Sequence, residues 1–343
     1  MAKITFWSFF SEQWTRLPPP LLVDLAGKTV IVTGANSGIG LEAAKHFARM
    51  KPARLVVACR SEGKGKAALE EIAKAIGFAA ELQLVDFADF ACVQAFVARL
   101  KDAPVDILIA NAAVALPEYK LTKDGWEETL QVNHLATALL SILLLPNMAR
   151  AAREHNALAR LVLVASGAHR GHTVDAELRA APAGILRTMS SAEFCTPARF
   201  AQRYPESKLL NIFFARALAA HLAPGALVVP TAANPGFCYS GLRRHLPLAP
   251  RLMMGAMDVT LGRSAEQGAR QLLHAALGPD GRPGAHVRFM AGAYVSCGAV
   301  REPSDYVLSA EGYEAQEKIW EETIEILAEI APDVRRIAKE YFQ

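Results

Sequence analysis

The sequence of 343 residues lacks the features that mark several classes of protein. Its five cysteines lie far apart with no Cys-x-x-Cys pair, and their spacing suits neither a zinc site nor a disulfide framework. We therefore expect no bound metal and a reducing, cytoplasmic compartment. The net charge is only +3 and the basic residues are scattered, so no basic stripe is available for binding nucleic acid.

Long apolar segments are also missing. The most apolar stretch, residues 135–145, is too short to span a bilayer and contains Ser141, so we expect no transmembrane segment. The aromatic N-terminus, with Trp7 and Trp14, has no cationic start, long apolar run or cleavage site, and so does not resemble a signal peptide. We expect its aromatic side chains to pack on the domain; attachment to a membrane surface is the weaker alternative.

What the chain does contain is an alternation of short β-like runs with helical runs. The expected strands are residues 30–32, 55–58, 82–85, 107–109, 161–164, 226–229 and 287–290. The expected helices between them are residues 39–50, 63–76, 90–100, 125–150 and 204–221. This alternation predicts an α/β fold, a Rossmann-like doubly wound parallel sheet with helices on both faces. Ligands of such sheets bind at the carboxyl ends of the strands.

The chain is longer than this sheet requires. We predict an N-terminal extension (1–26), a single domain (27–300) and a C-terminal helical extension packed on it (301–343). Two long segments, 167–203 and 237–262, interrupt the domain and are expected to form the substrate pocket. The alternative is that their apolar residues only cap the core. Within the first segment, His169, Arg170 and His172 are expected near the mouth of the pocket.

The first predicted strand runs into a glycine-rich turn, Thr33-Gly34-Ala35-Asn36-Ser37-Gly38-Ile39-Gly40, which opens a helix. Glycine permits a tight turn and lets a phosphate approach the backbone, and the free N–H groups of a helix start attract an anion. The spacing Gly-x-x-x-Gly-x-Gly alone is also compatible with an ordinary turn. Its position after a buried-looking strand near the start of the chain favours a nucleotide site.

Arg60 follows the second predicted strand, where no acidic residue is present. An acid at this point would bind the adenosine ribose of NAD, whereas an arginine accommodates the 2′-phosphate of NADP. Because Arg60 can grip a phosphate with two hydrogen bonds, we predict NADP(H) as the cofactor. Lys64 could add a second charge, although a solvated helix face is the more ordinary interpretation of this residue.

Six motifs in order along the chain resemble the classical short-chain dehydrogenase/reductases, with the nearest likeness in the retinol-dehydrogenase-like branch that includes fungal members. They are the glycine turn, Asn111-Ala112-Ala113, Asn133, Ser166, Tyr204-x-x-x-Lys208 and Asn234-Pro235-Gly236. In that family Asp86 and the Phe87 backbone receive the adenine, Asn111 lies under the cofactor, and Pro235-Gly236 passes the nicotinamide. Together with the glycine turn and Arg60, the predicted cofactor contacts are Gly34, Asn36, Ser37, Gly38, Ile39, Gly40, Arg60, Lys64, Asp86, Phe87, Asn111, Ala112, Tyr204, Lys208, Pro235, Gly236 and Ser240. For Asp86, a helix N-cap is an alternative role.

The resemblance also implies a catalytic set formed by Asn133, Ser166, Tyr204 and Lys208. The i, i+4 spacing of Tyr204 and Lys208 places both on one face of a helix, and a nearby ammonium makes a phenol a working acid and base. Ser166 would bind the substrate oxygen, although Ser-Gly is also an ordinary turn signal. Asn133 would hold a water in a proton relay, or would be a buried asparagine satisfied by the backbone.

The sequence therefore predicts an NADP(H)-dependent oxidoreductase that interconverts the carbonyl and alcohol of a bulky, mainly apolar small molecule. The resemblance to the fungal-like branch adds the hypothesis of a role in secondary metabolism. The alternatives are a sensor that binds NADP(H) without turnover, and an epimerase or dehydratase of the same family. A homodimer is possible through the apolar helices around Leu139 and Phe213, unless the terminal extensions cover that face.

Overall fold

The computed structural model describes residues 12–238, 261–278 and 285–343. The described strands form one eight-stranded sheet in the order β3-β2-β1-β4-β5-β6-β7-β8, parallel except for the final β7–β8 pair. The strands are β1 (Thr29–Thr33), β2 (Arg54–Cys59), β3 (Glu81–Leu84), β4 (Ile107–Ala110), β5 (Ala159–Val164), β6 (Val228–Asn234), β7 (Tyr294–Ser296) and β8 (Ala299–Arg301). The predicted Rossmann-like, doubly wound fold is confirmed.

Helices cover both faces of this sheet. They are α1 (Gly38–Arg49), α2 (Glu62–Ile76), α3 (Phe90–Leu100), α4 (Glu128–Leu130), α5 (Ala136–Leu143), α6 (Leu145–Glu154), α7 (Ala176–Arg179), α8 (Ile185–Ser190), α9 (Pro197–Phe200), α10 (Arg203–His221), α11 (Ala265–Leu277), α12 (Asp305–Leu308), α13 (Ala310–Ile330) and α14 (Asp333–Tyr341). One apolar core lies between the sheet and α1, α2 and α11, and the other lies under α3, α5, α10 and α13. Strands β1, β4 and β5 are buried along their whole length, which explains why they are apolar and β-branched.

Three predicted elements differ from the observed ones. Residues 287–290, predicted as the last strand, belong to a 3-10 helix (Ala285–Met290), and the strand follows at Tyr294. The single helix predicted over 125–150 is divided by a π-helical turn (Gln131–Leu135) and by a break before Pro146. Strand β6 extends to Asn234, well beyond the predicted end at 229.

The C-terminal extension contains the short helix α12 and two longer helices, α13 and α14, that pack on the domain. Helix α13 lies against α10, and α14 lies against α5. Leu139 and Phe213, which mark the predicted dimer face, are fully buried within the chain. Of the two alternatives, a dimer interface or a face covered by the terminal extensions, the structure shows the second: the C-terminal helices cover this face.

The insertion between β5 and α10 folds into short helices that dock on α13. The Glu322 carboxylate of α13 accepts hydrogen bonds from the first two backbone N–H groups of α8, Ile185 at 2.7 Å and Leu186 at 2.8 Å. A carboxylate at a helix N-terminus is favourable because it satisfies unpaired N–H donors. Most of the insertion thus packs against the C-terminal extension, and only its first residues reach the cleft described below.

In the part of the chain that the structure describes, no single helix is both long and apolar enough to span a membrane. Residues 128–143 and 145–154 are long and apolar enough only when taken together, and the two helices are bent by 44° relative to each other.

Candidate active site

A cleft of about 800 Å³ opens at the carboxyl ends of the parallel strands. The cleft is lined by the turns that follow β1, β2, β4, β5 and β6, together with the start of α10. Of the predicted site residues, all but Asn133 and Ser240 line this cleft. Ser240 lies outside the described residues, as does most of the predicted lid at 237–262.

The glycine turn is shaped for close approach of a ligand to the backbone. Gly34 and Gly38 have φ angles of +65° and +57°, which only glycine adopts readily. A Cβ on Gly40 would lie 2.5 Å from the Asn111 amide nitrogen, so no larger residue fits there. Helix α1 begins with no side-chain cap and no acidic residue in its first turn, whereas Ser61 caps α2. The free N–H groups of α1 therefore suit the phosphates of a dinucleotide.

Thr33, to which the sequence analysis assigned no role, joins this turn to the end of the neighbouring strand β4. Its hydroxyl accepts the backbone N–H groups of Asn111 at 2.9 Å and Ala112 at 3.0 Å, and donates to the Ile109 carbonyl. The Asn111 amide in return donates to the Thr33 carbonyl at 2.9 Å. Asn111 thus links the turn after β4 to the glycine turn, which positions both for one ligand.

Arg60 and Lys64 are exposed at the end of the cleft beyond β2. With the described residues neither side chain forms a salt bridge, whereas the neighbouring Lys66 pairs with Glu62 at 2.7 Å. Asp86 lines the same end and accepts the Ala88 N–H at 3.0 Å. The helix N-cap proposed as its alternative role belongs to Asp89 instead.

Tyr204 and Lys208 lie in the first turns of α10, one helical turn apart, as their spacing predicted. The Lys208 ammonium is 5.5 Å from the centre of the Tyr204 ring and donates to the Val164 carbonyl at 2.9 Å. Only 2% of Lys208 is exposed, and burial lowers its pKa to about 7. Its charge is therefore sensitive to pH in the range where enzymes work, because loss of water disfavours the charged form.

The lowered pKa of Lys208 predicts how the unfolding free energy depends on pH. The unfolded chain holds the Lys208 proton up to about pH 10, whereas the folded chain releases it near 7, so stability rises with pH across that window. We expect the difference in unfolding free energy between the wild type and Lys208→Met to shift in favour of the wild type from pH 7 to 10. Urea denaturation at several pH values measures it, with exposed Lys339→Met as the control. A difference that does not change with pH would contradict the burial of this charge.

Ser166 lies two residues after β5, in a turn that Asn234 holds in place. Asn234, at the end of β6, accepts the N–H groups of Gly167 at 2.9 Å and Gly236 at 3.0 Å. Its amide also donates to the Ser296 hydroxyl at 3.1 Å. Asn234 therefore fixes the separation between the turn that carries Ser166 and the turn formed by Pro235 and Gly236.

Comparison with known proteins agrees with this arrangement. The family model described as short chain dehydrogenase matches residues 28–176. The short chain dehydrogenase atnD of Emericella nidulans is 38% identical over 281 residues, which cover 80% of this chain and 87% of that protein. The chain belongs to the short-chain dehydrogenase/reductase family. The short-chain dehydrogenase/reductase phmF of Phaeosphaeria nodorum is also similar, at 31% identity over 320 residues that cover 92% of this chain and 90% of that protein.

Solved structures show the same fold. An uncharacterized protein from Mycobacterium paratuberculosis matches with a TM-score of 0.60 and 26% identity, covering 88% of this chain and 95% of that one. The L-sorbose reductase of Gluconobacter frateurii, complexed with NADPH and L-sorbose, matches with a TM-score of 0.57 and 18% identity, covering 79% and 95%. The predicted family is thus confirmed, and with it the oxidoreductase class and the binding of a nicotinamide cofactor.

Asn133, the fourth residue of the predicted catalytic set, lies beneath the cleft in the π-helical turn. Its amide nitrogen donates to the Val114 carbonyl and the Ser207 hydroxyl, both at 2.9 Å, and its oxygen accepts the Val114 N–H at 2.8 Å. The Ser207 hydroxyl in turn donates to the Tyr204 carbonyl at 2.7 Å. These contacts match the alternative of a buried, backbone-satisfied asparagine, and they connect it to the start of α10.

His169 is not at the mouth of the pocket, and that expectation is wrong. The residue is fully buried, where its Nδ1 donates to the Ser166 carbonyl at 2.7 Å and its Nε2 accepts the Ser304 N–H at 3.0 Å. Desolvation lowers its pKa to about 4, so the ring is neutral and can play both roles. It ties the turn that carries Ser166 to the C-terminal extension. Arg170 lines the cleft as expected, whereas His172 does not.

Proposed function

We propose that the protein is an NADP(H)-dependent oxidoreductase that interconverts the carbonyl and alcohol of a bulky, mainly apolar small molecule. The observation that carries this proposal is the convergence of Ser166, Tyr204 and Lys208 on the same cleft as the glycine turn and Arg60. These groups come from segments far apart in the chain, and they match the acid, oxygen-binding and cofactor-binding parts that the reaction requires.

In this proposal each side chain has a separate task. The nicotinamide, when bound, supplies or accepts the hydride. Tyr204 gives a proton to the substrate oxygen or takes one from it, while Ser166 donates a hydrogen bond to the same oxygen and stabilises its developing negative charge. The protonated Lys208 favours the phenolate of Tyr204 through its positive charge. The free N–H groups of α1 hold the cofactor phosphates, and the glycines leave room for them.

The substrate class is inferred from the walls of the cleft. Val114, Ala115, Leu116 and Val132 give the cleft that contains Tyr204 an apolar part of its lining. A bulky substrate with few charges would bury apolar surface there, which is the usual source of affinity in such pockets. Both curated relatives described above come from fungi, which supports a role in secondary metabolism.

Arg60 is the basis for proposing NADP(H) over NAD(H), and its replacement gives a direct test. We expect Arg60→Asp to raise the KM for NADPH by about 10- to 100-fold, because a charge-assisted hydrogen bond to phosphate is lost and a repulsive charge appears. The KM for NADH should stay the same or fall. Steady-state kinetics with both cofactors measures the change, with the exposed Lys66→Asp, outside the cleft, as the control. Equal loss with both cofactors would contradict a contact to the 2′-phosphate.

The reaction itself is tested by following NADPH oxidation with a panel of apolar ketones and aldehydes. Reduction of at least one neutral, bulky carbonyl compound is expected. Tight NADPH binding with no turnover on any member would favour a sensor. Conversion of a substrate without net change in NADPH would favour an epimerase or dehydratase.

Location and assembly belong to the same proposal. Cys59, Cys92, Cys195 and Cys297 form no disulfide, which supports a reducing cytoplasmic compartment. Since α13 and α14 cover Leu139 and Phe213, a homodimer would have to use another surface.

A further inference from the structure

The N-terminal segment contributes a charged residue to the reaction end of the cleft. Glu12, in a short helical turn at 12–14, lines the cleft beside the turn that follows β5. Its carboxylate lies 2.9 Å from the Arg170 guanidinium, and Arg170 comes four residues after Ser166. This pair joins segments separated by 158 residues, so no short stretch of the sequence predicts it.

Glu12 is held in place by its own backbone. The Glu12 carbonyl accepts hydrogen bonds from the buried Arg263 guanidinium and from the Cys297 thiol. The neighbouring Gln13 side chain accepts the Phe237 N–H at 3.3 Å, directly after the Pro235-Gly236 turn. These contacts fix the backbone of Glu12, so its carboxylate has a defined position in the wall of the cleft.

Arg170 depends on Glu12 for its counter-charge. Its side chain is 13% exposed; its other contacts are the Glu302 carbonyl at 3.3 Å and the Tyr294 ring, 5.6 Å from the guanidinium to the ring centre. Neither of these carries a charge. Among residues 12–238, 261–278 and 285–343, no second carboxylate lies within 4.0 Å of Arg170. Elsewhere in the lining, Glu128 is neutralised by Lys120 at 2.6 Å.

We infer that the Glu12–Arg170 pair determines substrate specificity by leaving Arg170 with no free positive charge in the wall of the cleft, so that uncharged carbonyl compounds are accepted and carboxylates are rejected. Glu12 repels an acidic substrate and occupies the guanidinium that could bind it. Removing the Glu12 charge frees a partly buried cation in the cleft that also contains Ser166, and this cation would then bind a carboxylate strongly. This inference rests on the proposed function and names the substrate class of the same site.

The test compares a matched pair of substrates, an aryl ketone carrying a methyl ester and the same ketone carrying the free carboxylate. We expect the wild type to prefer the ester. Glu12→Gln should raise the ratio of kcat/KM for acid over ester by about tenfold or more, the effect of one hydrogen bond to a charged group. Because this is a ratio for one variant, a general loss of folded protein does not change it.

Two further variants complete the design. Glu12→Gln combined with Arg170→Gln should return the ratio to near the wild-type value, since the freed cation is gone. Arg16→Gln removes an exposed charge from the same segment outside the cleft and should leave the ratio unchanged. An unchanged ratio in Glu12→Gln, with ester reduction intact in the wild type, would overturn the inference alone. The ester is chosen from the ketones that the wild type reduces. A wild type that binds NADPH and reduces no member of the carbonyl panel would defeat the proposed function, and the inference with it.

Discussion

Replacing Tyr204 by Phe is expected to lower kcat for carbonyl reduction by about 1000-fold while leaving NADPH affinity nearly unchanged. The substitution removes one oxygen and keeps the ring that packs over Lys208. General acid catalysis contributes about 100- to 10,000-fold in enzymes, and here no other cleft residue is assigned to supply this proton. Because the proton is needed only as the oxygen becomes negative, the loss should fall on kcat more than on KM.

The measurement is steady-state NADPH oxidation, combined with NADPH titration by fluorescence. Tyr313→Phe is the matched control, since that tyrosine is 55% exposed and lies outside the cleft. If Tyr204→Phe kept more than about a tenth of the activity, the role of the phenol as acid would be wrong. If it lost NADPH binding as well, the loss of activity would report a damaged site instead of missing chemistry.

Replacing Arg203 by Met should produce the largest effect on stability. Arg203 is 1% exposed and lies directly before Tyr204, where its guanidinium is 3.3 Å from Glu127 and 2.9 Å from Glu206. Glu127 is fully buried and also accepts the Thr129 and Leu130 N–H groups. Removing one partner of a buried ion pair leaves an uncompensated charge and costs about 3–5 kcal/mol.

We expect Arg203→Met to lower the unfolding free energy by that amount, measured by urea denaturation at pH 7. Arg336→Met is the control, because its pair with Asp333 is exposed and should contribute less than about 1 kcal/mol. The pKa of Glu127 is raised by desolvation, and loss of the adjacent guanidinium should raise it further. Equal destabilisation in both variants would mean that the buried network does not hold the start of α10.

Much of the cofactor half of the site could be predicted from sequence because its parts are local. The glycine turn, the end of β2 at Arg60 and the pair Tyr204 and Lys208 each depend on a strand–turn–helix unit or on one helical turn. Their order along the chain then fixes which strand end each occupies, since a right-handed parallel sheet leaves few alternatives. Thr33 could have been found in the same way, as a hydroxyl at the end of a buried strand.

The residues around the reaction site were harder to predict from the sequence. His169 and Glu12 have ordinary local sequences, and each acquires its role from a distant segment: Ser304 for His169 and Arg170 for Glu12. Hydrophobic periodicity also could not place the break in the helix predicted over 125–150. The residues of the π-helical turn are all buried, polar and apolar alike, so no amphipathic pattern marks where the hydrogen bonding of the helix changes.

The sequence by itself determined the α/β sheet, the family and the position of the nucleotide turn, because strand and turn propensities act over a few residues. Only the tertiary structure decided that the C-terminal helices cover Leu139 and Phe213, that His169 is a buried link, and that Glu12 pairs with Arg170 in the wall of the cleft. Those outcomes depend on contacts between segments more than 100 residues apart, where burial and charge pairing select partners that no short stretch of sequence specifies.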